Sequence, residues 1–403
     1  MGYIDRRRLG MDVARSLESD RLSPNASERE RLALEGVRSM KGRRFAGVFL
    51  LWGIALALSG ATELRILNWN IARAVGANNP RTAQAPYVAK TINYLQPDIL
   101  ILQEVGGDTR TSWNALNQEA ALDNFVRNNL SYLGSNPVRN RDYYLYVNRI
   151  GDGWISNAII SRYPFVSITD VNIGAPNRGL TMGLIAVPGT NGLGVFGAHF
   201  DSGADDGSSA RRQTNAENTR DRIRQWRVRN ARSAYLLGGD LNENEDPDLA
   251  SIRPINSTLP DGRTYAPIST VASARLRDTM PVDGLGGKRT WRVSNTNADL
   301  DHRLDYLLVS PTEMGRDRVS VLQALIFNTR RFPSGRLPAG FEITDSQNAS
   351  DHAALFLRLR IDQWRSNGFG GGYWVPEPSS WGILIAFSAG MVALRRRRRN
   401  HTR

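Results

Sequence analysis

Between Thr62 and Trp364, short apolar runs of strand character alternate with helix-like stretches, and no Pro/Ser-rich linker divides them. That interleaving predicts one α/β domain rather than several small ones. The strand-like runs are "LRILNWN" (64–70), "DILILQE" (98–104), "NAIISR" (157–162), "LTMGLIAV" (180–187), "GVFGAHF" (194–200), "AYLLGGD" (234–240), "RLDYLLVS" (303–310) and "VLQALIF" (321–327). A last one follows Asp351 and His352, with Leu355, Leu357, Leu359 and Ile361 in phase on one face. Helices are expected over 86–95 and 211–232.

Polar residues gather at the ends of these runs: Asn70, Glu104, His199, Asp240, Asp305 and the Asp351-His352 pair. A strand end holds a side chain rigidly and still leaves it accessible. A single carboxylate there is an ordinary solvated cap, but seven such residues in a chain with only four histidines need a shared cause. Phosphoester hydrolysis supplies one, because it uses hard oxygen ligands for a divalent cation, an activated water and a proton donor. Glu104 and Asn70 suit Mg²⁺. The absence of cysteine excludes disulfides and thiolate metal sites.

The segments "ILNWNIA", "PDILILQEV", "SNAIISRYP", "FGAHFDS", "LLGGDLNENED", "HRLDYLLVS" and "SDHAALFL" occur in the order seen in the endonuclease/exonuclease/phosphatase superfamily, which the body of the chain closely resembles. The resemblance implies a DNase I-like fold: an α/β four-layered sandwich of two packed mixed β-sheets flanked by helices. It also implies a metal-dependent phosphoesterase using Mg²⁺, with Mn²⁺ as the alternative. Carried over position by position, Asn70, Glu104 and Asp351 resemble the metal-binding residues. Asp240 and Asn242 resemble the pair that positions the attacking water. His352 resembles the essential histidine, and Asp305 the carboxylate that orients it. His199 resembles the second histidine of the DNase, sphingomyelinase and inositol-phosphatase branches, with Ser156 or Asn157 in place of the carboxylate that partners it in vertebrate DNases. Arg178 and Arg211 are assigned to substrate contact. Nucleic acid is the expected substrate. The alternatives are a sphingomyelinase-like phospholipid phosphodiesterase, a phosphatase, and a surface binding module without catalysis.

The formal charge of +13 belongs mostly to the ends, since residues 1–61, 62–367 and 368–403 carry +4, +4 and +5. Basicity is therefore weak support for nucleic-acid binding by the body. The eight arginines of 211–232 spread around the expected helix and read as a solvated outer face. Residues 40–61 show the charged, apolar and small-residue order of a secretory signal, which makes 1–39 an extension ahead of the true start. The domain proper is expected over 62–366, and the glycine-rich stretch 367–374 as a flexible linker. Residues 375–403 hold Pro-Glu-Pro, an apolar segment and five arginines, and resemble a PEP-CTERM sorting signal. That resemblance implies processing by an exosortase, a transient membrane anchor and delivery to the envelope or outside of a Gram-negative cell.

Overall fold

The computed structural model describes residues 61–77, 80–107, 114–133, 143–176, 178–244, 256–292, 299–367 and 371–375. The chain divides into two units, Met1–Ala57 and Leu58–Arg403, and all the described residues belong to the second. The expected extension, the signal segment apart from Ala61, and the sorting segment beyond 375 lie outside the described residues. Among the described residues no helix is long and apolar enough to cross a membrane.

Two mixed sheets form the centre. The first holds β1 (Ala61–Asn70), β2 (Ile99–Gly106), β3 (Tyr144–Val147), β4 (Ile155–Ser161), β11 (Arg318–Phe327), β12 (Ala354–Ser366) and β13 (Gly372–Val375). Its order is β11-β12-β1-β2-β4-β3, with β13 paired to β12. The second holds β5 (Phe165–Val171), β6 (Leu180–Ile185), β7 (Leu193–His199), β8 (Ala234–Asp240), β9 (Arg277–Asp278) and β10 (Asp305–Val309). Its order is β5-β6-β7-β8-β10-β9. Each sheet has one parallel pair, β1 with β2 and β7 with β8, and its other pairings are antiparallel. A parallel pair needs a long crossover, and helices α1 (Ala85–Leu95) and α3 (Asp206–Arg229) lie on those two connections.

Three apolar clusters separate the layers. Leu355, Leu357, Leu359 and Ile361 face inward between the sheets with Leu64, Ile66, Ile101, Val195, Leu236 and Leu307, as their alternation predicts. Burying each such side chain stabilises the fold by about 1.5–3 kcal/mol relative to exposure. On the outer face of the first sheet, Val88, Ile92 and Leu95 of α1 pack with Leu122, Phe125 and Val126 of α2 (Ala115–Asn129). On the outer face of the second, α3 lays Ala216, Ile223 and Trp226 against Phe196, Tyr235 and Leu237. Gly194 makes that packing possible, because a Cβ there would stand 2.4 Å from the Trp226 ring. The short helices α4 (Pro267–Ala272) and α5 (Asp345–Ala349) complete the set.

Some features differ from the sequence reading. The glycine-rich stretch expected as a linker ends in β13, where Trp374 meets Trp364 edge-on at 5.2 Å and donates Nε1–H to Arg316 O at 2.9 Å. Two indoles and four ladder positions outweigh the glycine content here. Helix α3 begins at Asp206, five residues before the expected start, with Asp205 capping the Ser208 N–H. Of its arginines, Arg212 is wholly buried instead of solvated.

Candidate active site

The parallel pairs explain why the polar residues converge. β1, β2, β7 and β8 run toward the same edge and bring Asn70, Glu104, His199 and Asp240 to their C-terminal ends. The antiparallel β10 and β12 start from that edge, so Asp305 opens one and His352 precedes the other. Register makes this concrete: His199 and Asp305 both lie directly beside Asp240. A cavity of about 420 Å³ opens there, lined by Glu104, His199, Asp240, Asn242, Asp351 and His352 among others.

His352 Nδ1 lies 2.8 Å from Asp305 Oδ2, and both side chains are buried. Its Nε2 faces Asn70 Nδ2 at 3.4 Å and Asp240 Oδ2 at 3.7 Å. The ring is clamped from behind, because Ser350 Oγ accepts the His352 N–H and donates to Asn70 O, while Trp69 Nε1–H donates to His352 O. Burial by itself would lower the imidazole pKa, but Asp305 and Asp240 overcome it and raise it to about 10. At neutral pH His352 is therefore an imidazolium. Asp240 is pushed up to about 7, chiefly by burial and then by Asp305 and Glu104, with His352 and Asn70 opposing. A buried carboxylate with a midpoint near neutrality can take up a proton in a working pH range.

Glu104 sits where the β2–β4 register slips between Leu102 and Val105, at φ 56°. This bulge re-aims its side chain into the cavity. Asn70 Nδ2–H donates to Glu104 Oε1 at 3.2 Å and to Asp240 Oδ2 at 3.0 Å, while Asn70 Oδ1 accepts the Ala72 N–H. Asn70, expected as a metal ligand, here turns its donor side toward the two carboxylates while its oxygen accepts from backbone, so the amide ties Glu104 to Asp240. Atoms of Asp240, Asp305 and His352 also lie close enough to surround an ion. The 2.8 Å bond between Asp305 and His352 already occupies facing atoms, so that trio acts as a proton-holding group. Glu104 and Asp351, half-buried on the cavity wall, offer the hard oxygens a divalent cation takes. Crowded carboxylates fit such a cation, since the charge of His352 leaves their repulsion only partly offset.

His199 is also buried, and its Nε2 meets Arg178 Nη1 at 2.9 Å and Asp240 Oδ2 at 3.4 Å. Burial, with the charges of Arg178 and His352, holds its pKa well below the usual imidazole value. Nε2 therefore accepts from the guanidinium and carries no proton to donate. The two residues expected in place of its usual carboxylate partner bond elsewhere: Ser156 Oγ donates to Asn148 O, and Asn157 Nδ2–H donates to Gly179 O. Arg178 is fixed further by Asp152 Oδ2 at 3.0 Å and Phe200 O at 2.8 Å. Arg211 does not line the cavity; its guanidinium pairs with Asp201 and Ser208. Asn242, at φ 51°, donates its backbone N–H to Asp240 Oδ1 and its Nδ2–H to Phe200 O.

Sequence reasoning did not assign Ser350, Trp291 or Glu243. Ser350 lies within the quoted "SDH" segment, and that adjacency was its signal. Trp291 stacks on His302 at 5.7 Å and 16°, and both line the cavity. Glu243 makes a fully buried pair with Arg212 at 3.3 Å, tying α3 to the Asp240–Asn242 turn.

A family model described as the Endonuclease/Exonuclease/phosphatase family matches residues 67–352, from β1 to the catalytic-edge histidine. The chain belongs to this family. Its members are divalent-metal-dependent phosphoric ester hydrolases, so the chain is an enzyme of that class. A solved family protein from Bacteroides thetaiotaomicron is 15% identical with a TM-score of 0.50, covering 75% of this chain and 96% of its own. A mannosyl-6-phosphatase from the same species is 16% identical (TM-score 0.48; 73% and 99% covered). A family protein from Beutenbergia cavernae is 20% identical (TM-score 0.45; 74% and 72% covered). At such identities the likeness concerns the fold, which is the two-sheet, four-layered sandwich expected from the motifs. A search of curated proteins found no match.

Proposed function

We propose that this family member is an exported phosphodiesterase that cuts nucleic acid strands with Mg²⁺ bound. The observation that carries the reading is the His352–Asp305 pair, with Nε2 open to a cavity that also holds Asp240 and Glu104. In this reading Asp240 takes the proton of a water molecule as its oxygen attacks phosphorus. The imidazolium of His352 offsets charge on the phosphoryl oxygens as the P–O ester bond breaks and the leaving oxygen departs. Asn70 ties Asp240 to Glu104, and Asn242 holds the Asp240 carboxylate in place. Glu104 and Asp351 would hold a divalent cation, which when bound would supply further stabilisation of phosphate charge.

The stacked Trp291 and His302 support a nucleotide substrate, because a flat aromatic wall beside the phosphate suits a base. A lipid surface has less to meet: in segment 330–341, the nearest to an aromatic hairpin, Phe332 and Phe341 pack on Phe327. The order of residues in 40–61 and the Pro-Glu-Pro tail support export and envelope sorting, which makes extracellular DNA or RNA the substrate in this reading. The test offers the full-length protein plasmid DNA, RNA, sphingomyelin and phosphoinositides with Mg²⁺, beside an EDTA control and His352→Ala. Cleavage of nucleic acid that EDTA and the substitution both abolish is expected. Turnover of lipid alone, or an undiminished His352→Ala enzyme, would sink the reading.

A further inference from the structure

At the strand ends away from the catalytic edge, three segments meet that the site does not use. Helix α3 finishes there at Arg229, the loop from β10 to β11 turns there, and β13 pairs there with the last residues of β12. Bonds join them: Arg227 reaches Glu313 at 3.1 Å, Arg316 Nη1–H donates to Asn230 O at 3.0 Å, and Trp374 Nε1–H donates to Arg316 O. Each segment turns an apolar side chain outward, Val228 at 81% exposure, Met314 at 82% and Tyr373 at 53%. The first two are the most exposed large apolar side chains among the described residues.

Positive charge is concentrated in the same place. Residues 227–232, 313–318 and 362–367 hold six arginines against three acids, so +3 of the +4 carried by 62–367 falls in them. All three acids are engaged: Asp317 and Asp362 are wholly buried, and Glu313 pairs with Arg227, Arg275 and Arg316. Arg229 and Arg232 are exposed, and neither guanidinium has a bonding partner among the described residues. Apolar side chains set among unpaired arginines suit an anionic bilayer, where the former enter the headgroup region and the latter meet lipid phosphates.

The sequence after β13 favours a bilayer over other polyanions. Only residues 376–380, two of them proline, separate Val375 from the apolar run 381–394, which five arginines follow. A fully extended chain of that length reaches about 20 Å. Wherever 381–394 enters a bilayer, the end of β13 is held within that distance of it. We infer that the face formed by the end of α3, the β10–β11 loop and β13 docks on the anionic surface of that bilayer. The inference goes beyond the proposed reaction and rests only on its export part, in which 381–394 is a membrane segment. Tethering supplies a high local concentration of lipid, so a face of modest affinity suffices. The bilayer is a support and not a substrate, because Asn70, Asp240 and His352 lie at the opposite ends of the strands.

The chain has no cysteine, so a single one can be introduced and labelled with a polarity-sensitive dye. The full-length protein is made as Met314→Cys and, for comparison, as Ile343→Cys, a 56% exposed position between β11 and β12 at the catalytic edge. Each is mixed with vesicles of phosphatidylcholine, alone or with about one-third phosphatidylglycerol, and flotation reports binding. On anionic vesicles the Met314→Cys dye should shift to the blue and the Ile343→Cys dye should not. Adding Arg229→Gln and Arg232→Gln should lower the docked-to-undocked ratio about thirtyfold, about fivefold for each arginine, with flotation unchanged. An unshifted dye on floated protein, equal shifts at both positions, or a shift that the two arginine substitutions leave intact overturns the inference, as does protein that fails to float. A shift that needs no vesicles and grows with protein concentration assigns the face to a second copy, and one that appears only with plasmid DNA assigns it to nucleic acid; either also overturns it. Phosphoester cleavage is read separately in the plasmid assay, so failure here and failure of the nuclease reading are distinct.

Discussion

Replacing Asp305 by Asn probes the pair that defines the site. The side chain is wholly buried, and the amide is nearly isosteric and can still accept a hydrogen bond from His352 Nδ1, so the change removes charge while keeping shape. Two carboxylates hold the His352 proton against burial, Asp305 at 2.8 Å from one nitrogen and Asp240 at 3.7 Å from the other. Together they raise the pKa to about 10. Without Asp305, burial acts against the more distant Asp240 alone, and the value should fall well below 10. At about pH 9 roughly nine-tenths of the wild-type imidazole is charged, and each further tenfold weakening of proton binding in the variant cuts the charged fraction there by up to about tenfold. The assay is kcat/KM for the p-nitrophenyl ester of thymidine 5′-phosphate across pH. Wild type should show an acidic limb near 7, set by the pair containing Asp240, and an alkaline limb near 10. Asp305→Asn should lose only several-fold at about pH 6 and at least about tenfold at about pH 9. An alkaline limb left where it was would refute the assignment of the proton to His352.

The same proton reports on stability: because His352 is raised when folded, its contribution is full below the unfolded value of about 6.5 and is lost as pH rises through about 10. Thermal melts at successive pH values should show this alkaline decline in wild type, and Asp305→Asn should move its onset down. Mg²⁺ at a hundred times its dissociation constant should add about 2.7 kcal/mol of stability, read as a rise in Tm that EDTA reverses and that Glu104→Gln lacks. Arg212→Met should cost about 3–5 kcal/mol in denaturant unfolding by removing the buried positive charge beside Glu243, and adding Glu243→Gln should recover part of that loss. Gly194→Ala should lower stability by about 1–3 kcal/mol, because its Cβ meets the Trp226 ring, and the loss should be visible in a melt.

The catalytic edge was legible because each of its residues interrupts an apolar run at a strand end. Asp240, Asp305 and His352 could be placed from that pattern and from motif order alone. The direction of the Asn70 amide could not, because it depends on the Ala72 N–H, a neighbour whose side chain says nothing about it. Glu104 was found as a residue but not as a bulge, since one extra residue leaves no mark in a uniformly apolar run. Arg212 reads like the other seven arginines of 211–232 in composition; its buried partners Asp201 O, Tyr265 Oη and Glu243 are brought to it by other parts of the chain. Helix α2 and strand β5 escaped notice for a simpler reason. The first has a polar surface with a narrow apolar face, and the second is an edge strand that is largely unburied.

The register of β1 against β12 has a geometrical consequence. Ala61 lies opposite Asp362, while Asn70 and His352, at the other ends of these strands, meet in the cavity. At about 3.3 Å per residue, ten residues of β1 separate the domain's entry point from the reaction centre by roughly 30 Å. Because β12 runs back beside β1, and β13 pairs with its last residues, the chain also leaves from that far pole. Any leash at either terminus, whether a membrane segment, a cell-surface linkage or a laboratory tag, is tied to the back of the molecule. The point of attachment therefore lies a full strand length from the groups that do the chemistry.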